Sequence, residues 1–484
     1  MGNDFRPVAD ADRIHVLDVI RGIALLGIFM MNVEFFNRPL ADLDAGLAVG
    51  ATGIDAWAGW FVHVFVRGKF WTMFSLLFGM GFAVMLGRAE QAGRAFLGTY
   101  VRRTLALALF GTLHFIFVWS GDILFSYAMG AAVLMVVFYT RPKVLLLIAL
   151  GCAVIAGVLA ALAATVTGPL PWQPFAAFAV PLLILTAVAA ALRRWPLKGL
   201  RNAGLALYLV PFLAMTLGGV AQMRQAPEAE RDRVAQAAAD TPAKREALAK
   251  QLKQRADNRR EHAQRVAEET AVMRGGTYAQ AVVLRASEFV RHLGSNIGFA
   301  IIVLGMFLLG AWFVRSGVMT EPAKHLPLFR RLAWVGLPVG VGLGLWGTSI
   351  ASTHVPGVND GLFQLAMGLS MLGNLPACLG YVAVIVLAWH GAGRTLLSTF
   401  APAGRMALTN YLSQSLIGTL FFYGYGFGHW GLGRAWQLVF VLVVFGLQLV
   451  FCRWWLSRHR YGPMEWLWRW LTYGQRPVMQ RAPA

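Results

Sequence analysis

The chain of 484 residues is short of charge: Asp, Glu, Lys and Arg together make up 14% of it, against about 25% in soluble domains. So few charges cannot cover a water-facing surface of this size, which excludes a soluble fold. Cysteine is nearly absent. Cys152, Cys378 and Cys452 stand in three separate apolar runs without CxxC spacing, which argues against a disulfide framework and a thiolate metal site. No metal is expected. Acidic residues are few beside basic ones, 23 against 43, for a net charge of +20. In a soluble chain that excess suggests nucleic acid. Here the basic residues sit between apolar runs, as on the cytoplasmic loops of membrane proteins, and no nucleic-acid partner is expected. Residues 1–14 lack the charged, apolar, small-residue order of a cleaved signal peptide, so the first span is expected to act as the targeting signal and stay.

Hydrophobic residues are abundant, at 57%, and a bilayer-spanning helix needs roughly 20 of them in a row. Apolar runs cover 15–36, 57–86, 104–119, 123–139, 144–166, 175–192, 203–220, 297–314, 333–350, 363–389, 406–425 and 436–451. The second is long enough to be tilted or broken. The chain reads as an all-α polytopic transmembrane helix bundle of about 10–12 spans. It divides into an N-terminal transmembrane half (1–140), additional spans (141–222), a charged segment (223–292) and a C-terminal transmembrane half with a basic, aromatic tail (293–484).

Loop charges set the orientation. With the N-terminus in the cytoplasm, Arg88, Arg94, Arg102, Arg103, Arg141, Lys143, Arg193, Arg194, Lys198 and Arg201 all fall inside. So do Arg315, Lys324, Arg330, Arg331 and the Arg453–Arg469 group. The opposite short loops hold Arg38 among Asp42, Asp44 and Asp55, nothing basic in 167–174, and Arg434. Both termini are therefore expected in the cytoplasm. The Ala-, Glu-, Arg- and Lys-rich segment 223–292 reads as two exposed extracytoplasmic helices, with an N-cap signal at Asp240-Thr241-Pro242 and a stop at Gly275-Gly276. Long polar loops cross regardless of charge. Such a hairpin is either a solvated insertion or a lid.

Ionisable residues within a span are costly and mark function. Asp18 and Arg21 share a helical face near the inner end of the first span, and Asn32 and Glu34 lie toward its outer end. His114 stands deep in the third span, and Asp122 follows at its outer mouth, placed to orient an imidazole; His63 is the other histidine at such depth. A lone histidine on an apolar helix is otherwise a packed, hydrogen-bonded residue. Lys69 follows Arg67-Gly68 in the second span, before Ser75 and the glycines of FSLLFGMGF. Thr409, Asn410, Tyr411, Ser413, Gln414 and Ser415 make one stretch of span too polar for lipid.

RIHVLDVIRGIALLGIFMMN, GKFWTMFSLLFGMGF, RRTLALALFGTLHFIFVWSGDILFSYA, MFLLGAWFVRSGV, GRMALTNYLSQSLI and HRYGPMEWLWRWLTYG resemble the YeiB-like proteins, a domain-of-unknown-function family. The motifs cover roughly 13–140 and 278–476 and leave out 141–277. The family looks like part of a superfamily of transmembrane acyltransferases that includes the heparan-glucosaminide acetyltransferases and the O-antigen acyltransferases. The resemblance implies transfer of an acyl group, usually acetyl, from cytoplasmic acyl-CoA to a glycan or other envelope acceptor across the inner membrane. Asp18, Arg21, Gly22, Ala24 and Asn32 match the first-span pattern of the heparan enzymes. The essential histidine of those enzymes follows the Asn closely, whereas no histidine lies between Asn32 and His63 here. His114, in a His…Trp-x-Gly-Asp motif, takes its place.

On this reading acyl-CoA is the co-substrate, with Asp18, Arg21, Arg102, Arg103 and Arg405 at its cytoplasmic mouth. His114, Asp122 and Asn32 are the catalytic set, and Tyr127, Lys69, Asn410, Tyr411 and Gln414 line the substrate cavity. Membrane lipid and a glycan or envelope acceptor are the expected partners. A small-solute or lipid permease fits the polytopic architecture too, although no inverted repeat is evident; a scaffold that recruits a partner through 223–292 is a third possibility. Orientation is tested by impermeant thiol labelling of single-cysteine variants in intact cells. Ala237→Cys is expected to label and Ser457→Cys to stay protected, and the reverse pattern overturns the threading.

Overall fold

Residues 14–40, 42, 51–163, 173–225, 228–353 and 360–481 are described by the computed structural model. Residues 1–13, Asp44 and most of the 167–174 loop, all used above, lie outside them. The helices in order are α1 (His15–Asn32), α2 (Gly53–Phe61), α3 (Lys69–Gln91), α4 (Leu97–Phe117), α5 (Leu124–Tyr139), α6 (Pro142–Ala163) and α7 (Gln173–Arg194). Next come α8 (Pro196–Met223), α9 (Glu228–Ala238), α10 (Pro242–Gly275), α11 (Tyr278–His292), α12 (Ser295–Arg315), α13 (Leu326–Arg331) and α14 (Leu337–Thr353). The chain ends with α15 (Gly361–Trp389), α16 (Arg394–Ser398), α17 (Ala401–Arg405), α18 (Ala407–Phe422), α19 (Arg434–Arg458) and α20 (Pro463–Tyr473). There is no β-strand among the described residues, only a single bridge between His459 and Gln480.

All twelve apolar runs fall on helices. Among the described residues nine helical segments are long and apolar enough to cross a bilayer; the other three runs form α4, α5 and α18, of 21, 16 and 16 residues. Large apolar side chains face outward, such as Leu147 of α6 at 69% exposure and Val450 of α19 at 67%. In water that surface would drive aggregation, and in a bilayer it is solvated by acyl chains. The protein is an all-α, multi-pass membrane bundle. Its second run breaks: a wide turn over Val62–Val66 ends at Gly68, whose φ of 84° is open to glycine, and α3 starts afresh at Lys69.

Without a hydrophobic force between helices in lipid, small residues that let backbones touch decide the packing. At the centre, a Cβ on Gly79 of α3 would lie 2.1 Å from the Phe307 carbonyl of α12, and one on Gly310 would lie 2.1 Å from the Leu76 carbonyl. The first and last thirds of the chain meet in the same way. A Cβ on Gly404 of α17 would lie 1.8 Å from the Asp18 carbonyl of α1, and one on Gly22 would lie 2.2 Å from that of Phe400.

The 223–292 segment differs from expectation. It holds three helices, and only α9 and the outer part of α10 form an exposed arm, tied by an Arg255–Asp232 pair at 3.2 Å. The expected cap is present: Thr241 Oγ1 accepts from Lys244 N at 3.4 Å. Gly275-Gly276 ends α10 as expected, but Thr277 and Gln280 then cap a further helix reciprocally. That helix, α11, lies on α4, burying Ala281, Leu284 and Arg285. Met273 of α10, Ala281 and Leu284 share an apolar cluster with Phe35, Phe36 and Trp119.

Two expectations follow. Gly404→Ala forces α1 and α17 apart and is expected to cost about 1–3 kcal/mol as overpacking. Gly151→Ala, where nothing lies within 4 Å, is expected to gain up to ~1 kcal/mol. Thermal unfolding in nanodiscs checks both, and equal midpoints would dismiss the contact. The second concerns Glu288 of α11, which burial, and next the nearby Glu269 charge, push from an ordinary 4.5 up to about 7. The folded state thus holds a proton between those values that the unfolded state has released. Its contribution is complete below pH 4.5 and lost as pH rises through 7. Glu288→Gln is therefore expected to raise the midpoint above pH 7 and leave it unchanged below pH 4.5; a gap that is constant with pH contradicts the assignment.

Candidate functional site

Helix α4 ends at Phe117, and the His114 carbonyl receives both the Val118 N–H (2.9 Å) and the Trp119 N–H (2.8 Å) that follow it. The chain then reverses through Ser120-Gly121-Asp122 into α5. The reversal brings Asp122 beside the helix it has just left: its Oδ1 lies 2.8 Å from His114 Nδ1, and its Oδ2 accepts from Phe125 N at 2.8 Å. Both side chains are buried, at 2% and 0% exposure. A carboxylate there holds the imidazole proton on Nδ1 and leaves a lone pair on Nε2. Nε2 is buried and has no hydrogen-bond partner among the described residues. The Tyr411 ring packs 5.2 Å from the imidazole, and the Tyr411 hydroxyl accepts from Ile123 N at 3.3 Å, which keeps its own proton available.

A cavity of about 320 Å³ runs from the Tyr411 side to the end of the bundle where α1 begins. Its deep walls are apolar or aromatic: Phe74 and Phe78 of α3, Leu107 of α4, Ile123, and Tyr127 of α5. Tyr127 is fixed by a 3.0 Å bond from its hydroxyl to the Trp71 carbonyl and accepts from Ser75 Oγ at 3.1 Å. The mouth is basic. Arg21, Arg103, Arg405 and Arg469 line it, against the carboxylates of Asp18 and Glu465. Asp18 pairs with Arg21 at 2.8 Å. Glu465 of α20 is occupied by the start of α18, accepting from Leu408 N (2.6 Å), Thr409 N (3.1 Å) and Thr409 Oγ1 (2.6 Å). Helix starts favour such an anion. Arg103 lies 3.8 Å over the Trp468 ring, and Trp468 Nε1 donates to the Arg103 carbonyl at 3.1 Å. The positive surplus fits a polyanion at this mouth.

The structure thus brings Asp18, Arg21, Arg103, Arg405, Tyr127 and Tyr411 into one cavity, with the His114–Asp122 pair directly behind Tyr411. It does not bring the other expected residues there. Asn32 ends α1 half-buried and away from the cavity walls; Arg102 is exposed beside Gly474. Asn410 and Gln414 are buried but bond within the bundle, Asn410 to the Ala403 carbonyl (3.1 Å) and Gln414 to Gln448 (2.9 Å). Lys69 is buried at the break after Gly68, its Nζ 3.4 Å from the His63 carbonyl. Near it, at the opposite end of the bundle, Glu34 pairs with Arg38 (2.9 Å) and Arg434 (3.1 Å), and His63 bonds Arg67 (2.9 Å). Sequence reasoning missed Glu465, Trp468, Arg469 and Tyr473 of α20, although their motif was in view. Their amphipathic helix is too short to register as a span. Among the described residues no group of His, Cys, Asp and Glu could hold a metal ion.

Residues 313–475 match the family described as a protein of unknown function (DUF418). The chain is 29% identical over 97% of its length to the uncharacterized protein YxaH of Bacillus subtilis (strain 168), of which 97% is covered. It is 28% identical to the uncharacterized protein YeiB of Escherichia coli (strain K12), over 95% of this chain and 96% of that one. No solved structure matches. The similarity therefore runs through 141–277 as well, which the motif reading left out. Those spans are built from Leu, Ala and Val, so they hold few side chains by which a motif is recognised.

Proposed function

We propose that this YeiB-like membrane protein is an acyltransferase of the inner membrane, moving an acyl group, such as acetyl, from cytoplasmic acyl-CoA to an envelope hydroxyl, as on a glycan. The observation that carries the reading is the alignment of a basic mouth, an apolar cavity and a buried His–Asp pair along one path. A volume of about 320 Å³ is at the low end of the ~300–1,000 Å³ usual for small-molecule sites. It suits an acyl group on its pantetheine arm and leaves the nucleotide phosphates at Arg21, Arg103, Arg405 and Arg469, where guanidinium–phosphate pairs form well.

In this mechanism Tyr411 turns aside to admit the thioester to His114. Nε2 takes the proton of the acceptor hydroxyl as its oxygen attacks the thioester carbonyl, and Asp122 stabilises the imidazolium through the Nδ1 proton. The Tyr411 hydroxyl is the donor on hand for the tetrahedral oxyanion, since Tyr127 already gives its proton to the Trp71 carbonyl; Asn32, outside the cavity walls, has no part. Collapse breaks the carbon–sulfur bond, and the CoA thiolate leaves with the proton from Nε2. The acceptor keeps the acyl group. The rival reading, a permease, draws on the break at Gly68 beside buried Lys69.

Calorimetry with acetyl-CoA and release of free CoA thiol in nanodiscs separate the two. Acetyl-CoA is expected to bind more weakly as salt rises, and Arg103→Ala to weaken it further. His114→Asn is expected to leave binding intact and slow thiol release by ~10²–10⁴-fold. Asp122→Asn loses less in the same direction, and His63→Asn is the control. Absence of acetyl-CoA binding favours the permease, and loss of turnover in His63→Asn alone moves the base to the second span.

A further inference from the structure

Arg285 of α11 is 0% exposed, yet no carboxylate among the described residues pairs with it. Its Nε donates to the Ala281 carbonyl at 2.9 Å, and Nη1 donates to the Val118 carbonyl, one turn beyond His114. Nη2 has no partner. The rings of Tyr278 and Tyr425 lie 5.9 and 6.0 Å from the guanidinium, a weak substitute for an anion. Glu269 and Glu288 share its neighbourhood around Tyr423 without reaching it. Around the same reversal two further buried atoms, His114 Nε2 and Ser120 Oγ, lack a hydrogen bond among the described residues. Buried polar groups are nearly always bonded, and each orphan is costly. A buried cation without a counter-ion costs more. Two orphans on the reversal and a guanidinium on the helix bonded to it are the groups that a hydroxylated anion would satisfy.

We propose that the reversal 118–122 and α11 form an acceptor site in which Arg285 binds a carboxylate or phosphate of the acceptor, with Ser120 and His114 toward its hydroxyls. Half-exposed Tyr278, whose hydroxyl donates to the Phe117 carbonyl at 2.8 Å, forms the rim through which the acceptor enters. The site lies at the end of α4 away from the basic mouth, so donor and acceptor approach His114 from opposite ends. The inference rests on the acyl-transfer reading for the role of His114, but the anion site is measurable without it.

The test uses the full chain in neutral phosphatidylcholine nanodiscs. Binding of inorganic phosphate, glucuronate and glycerol phosphate is measured by calorimetry with glucose as the uncharged control. Discs doped with phosphatidylglycerol report a lipid-borne phosphate, and the soluble probes report a free acidic acceptor. At least one anion is expected to bind where glucose does not. Arg285→Gln, which can still donate to a backbone carbonyl, is expected to weaken that binding about ten- to a hundredfold, and Arg285→Lys to restore part of it. No anion binding by the wild type overturns the proposal even where the variants fail to fold. Equal binding by wild type and a folded Arg285→Gln also overturns it. Acetyl-CoA binding separates the two readings: anion binding without it removes the donor and keeps this site, and the converse removes this site alone.

Discussion

The carbonyl of Asp18 rests against the α-carbon of Gly404, leaving no room for a methyl group. The mouth of the cavity depends on that contact. Because α1 and α17 touch backbone to backbone, Arg21, already paired with Asp18 on its own helix, also reaches the Gly404 carbonyl, and Arg405 lines the same opening. Helix α18 then starts beside α1, where Glu465 binds its first amides and pulls α20 across the floor of the mouth. A single methyl group at that glycine would force the two helices apart, and with them the arginines that share this opening.

Polarity is handled differently at the two ends. At the basic mouth the Arg103 and Arg469 guanidiniums rest on the Trp468 and Tyr461 rings, open to a polyanion. At the other end charges are buried in fixed partnerships, as in Arg38–Glu34–Arg434. Such networks cost desolvation and hold geometry. The His114–Asp122 pair lies between these regimes, dry and satisfied on one nitrogen only.

The twelve apolar runs were legible because apolar length is a local property that lipid enforces, and each could be read without knowing its neighbours. The His114–Asp122 pairing was legible too, since Trp-Ser-Gly between them signals a reversal that returns the carboxylate to its helix. What the polar stretch of α18 does was not legible. Asn410 and Gln414 read as cavity residues because lipid excludes them, and their partners Cys452 and Gln448 lie on another helix. α11 and α20 escaped for a related reason. Their apolar faces are short and interrupted by Arg, Glu or Trp, so they resemble solvated tail or loop until the surfaces that receive them exist.

The partners in the mouth are also far apart in time. Arg21 precedes Gly404 by 383 residues, and at about 5–20 residues per second translation takes roughly 20–80 s to cover that distance. For all of that interval α1 lacks the α17 backbone that covers Gly22, although α3 already covers Gly27. The mouth is therefore among the last parts of the protein to exist, and a chain interrupted before α17 inserts most of its spans yet has no mouth.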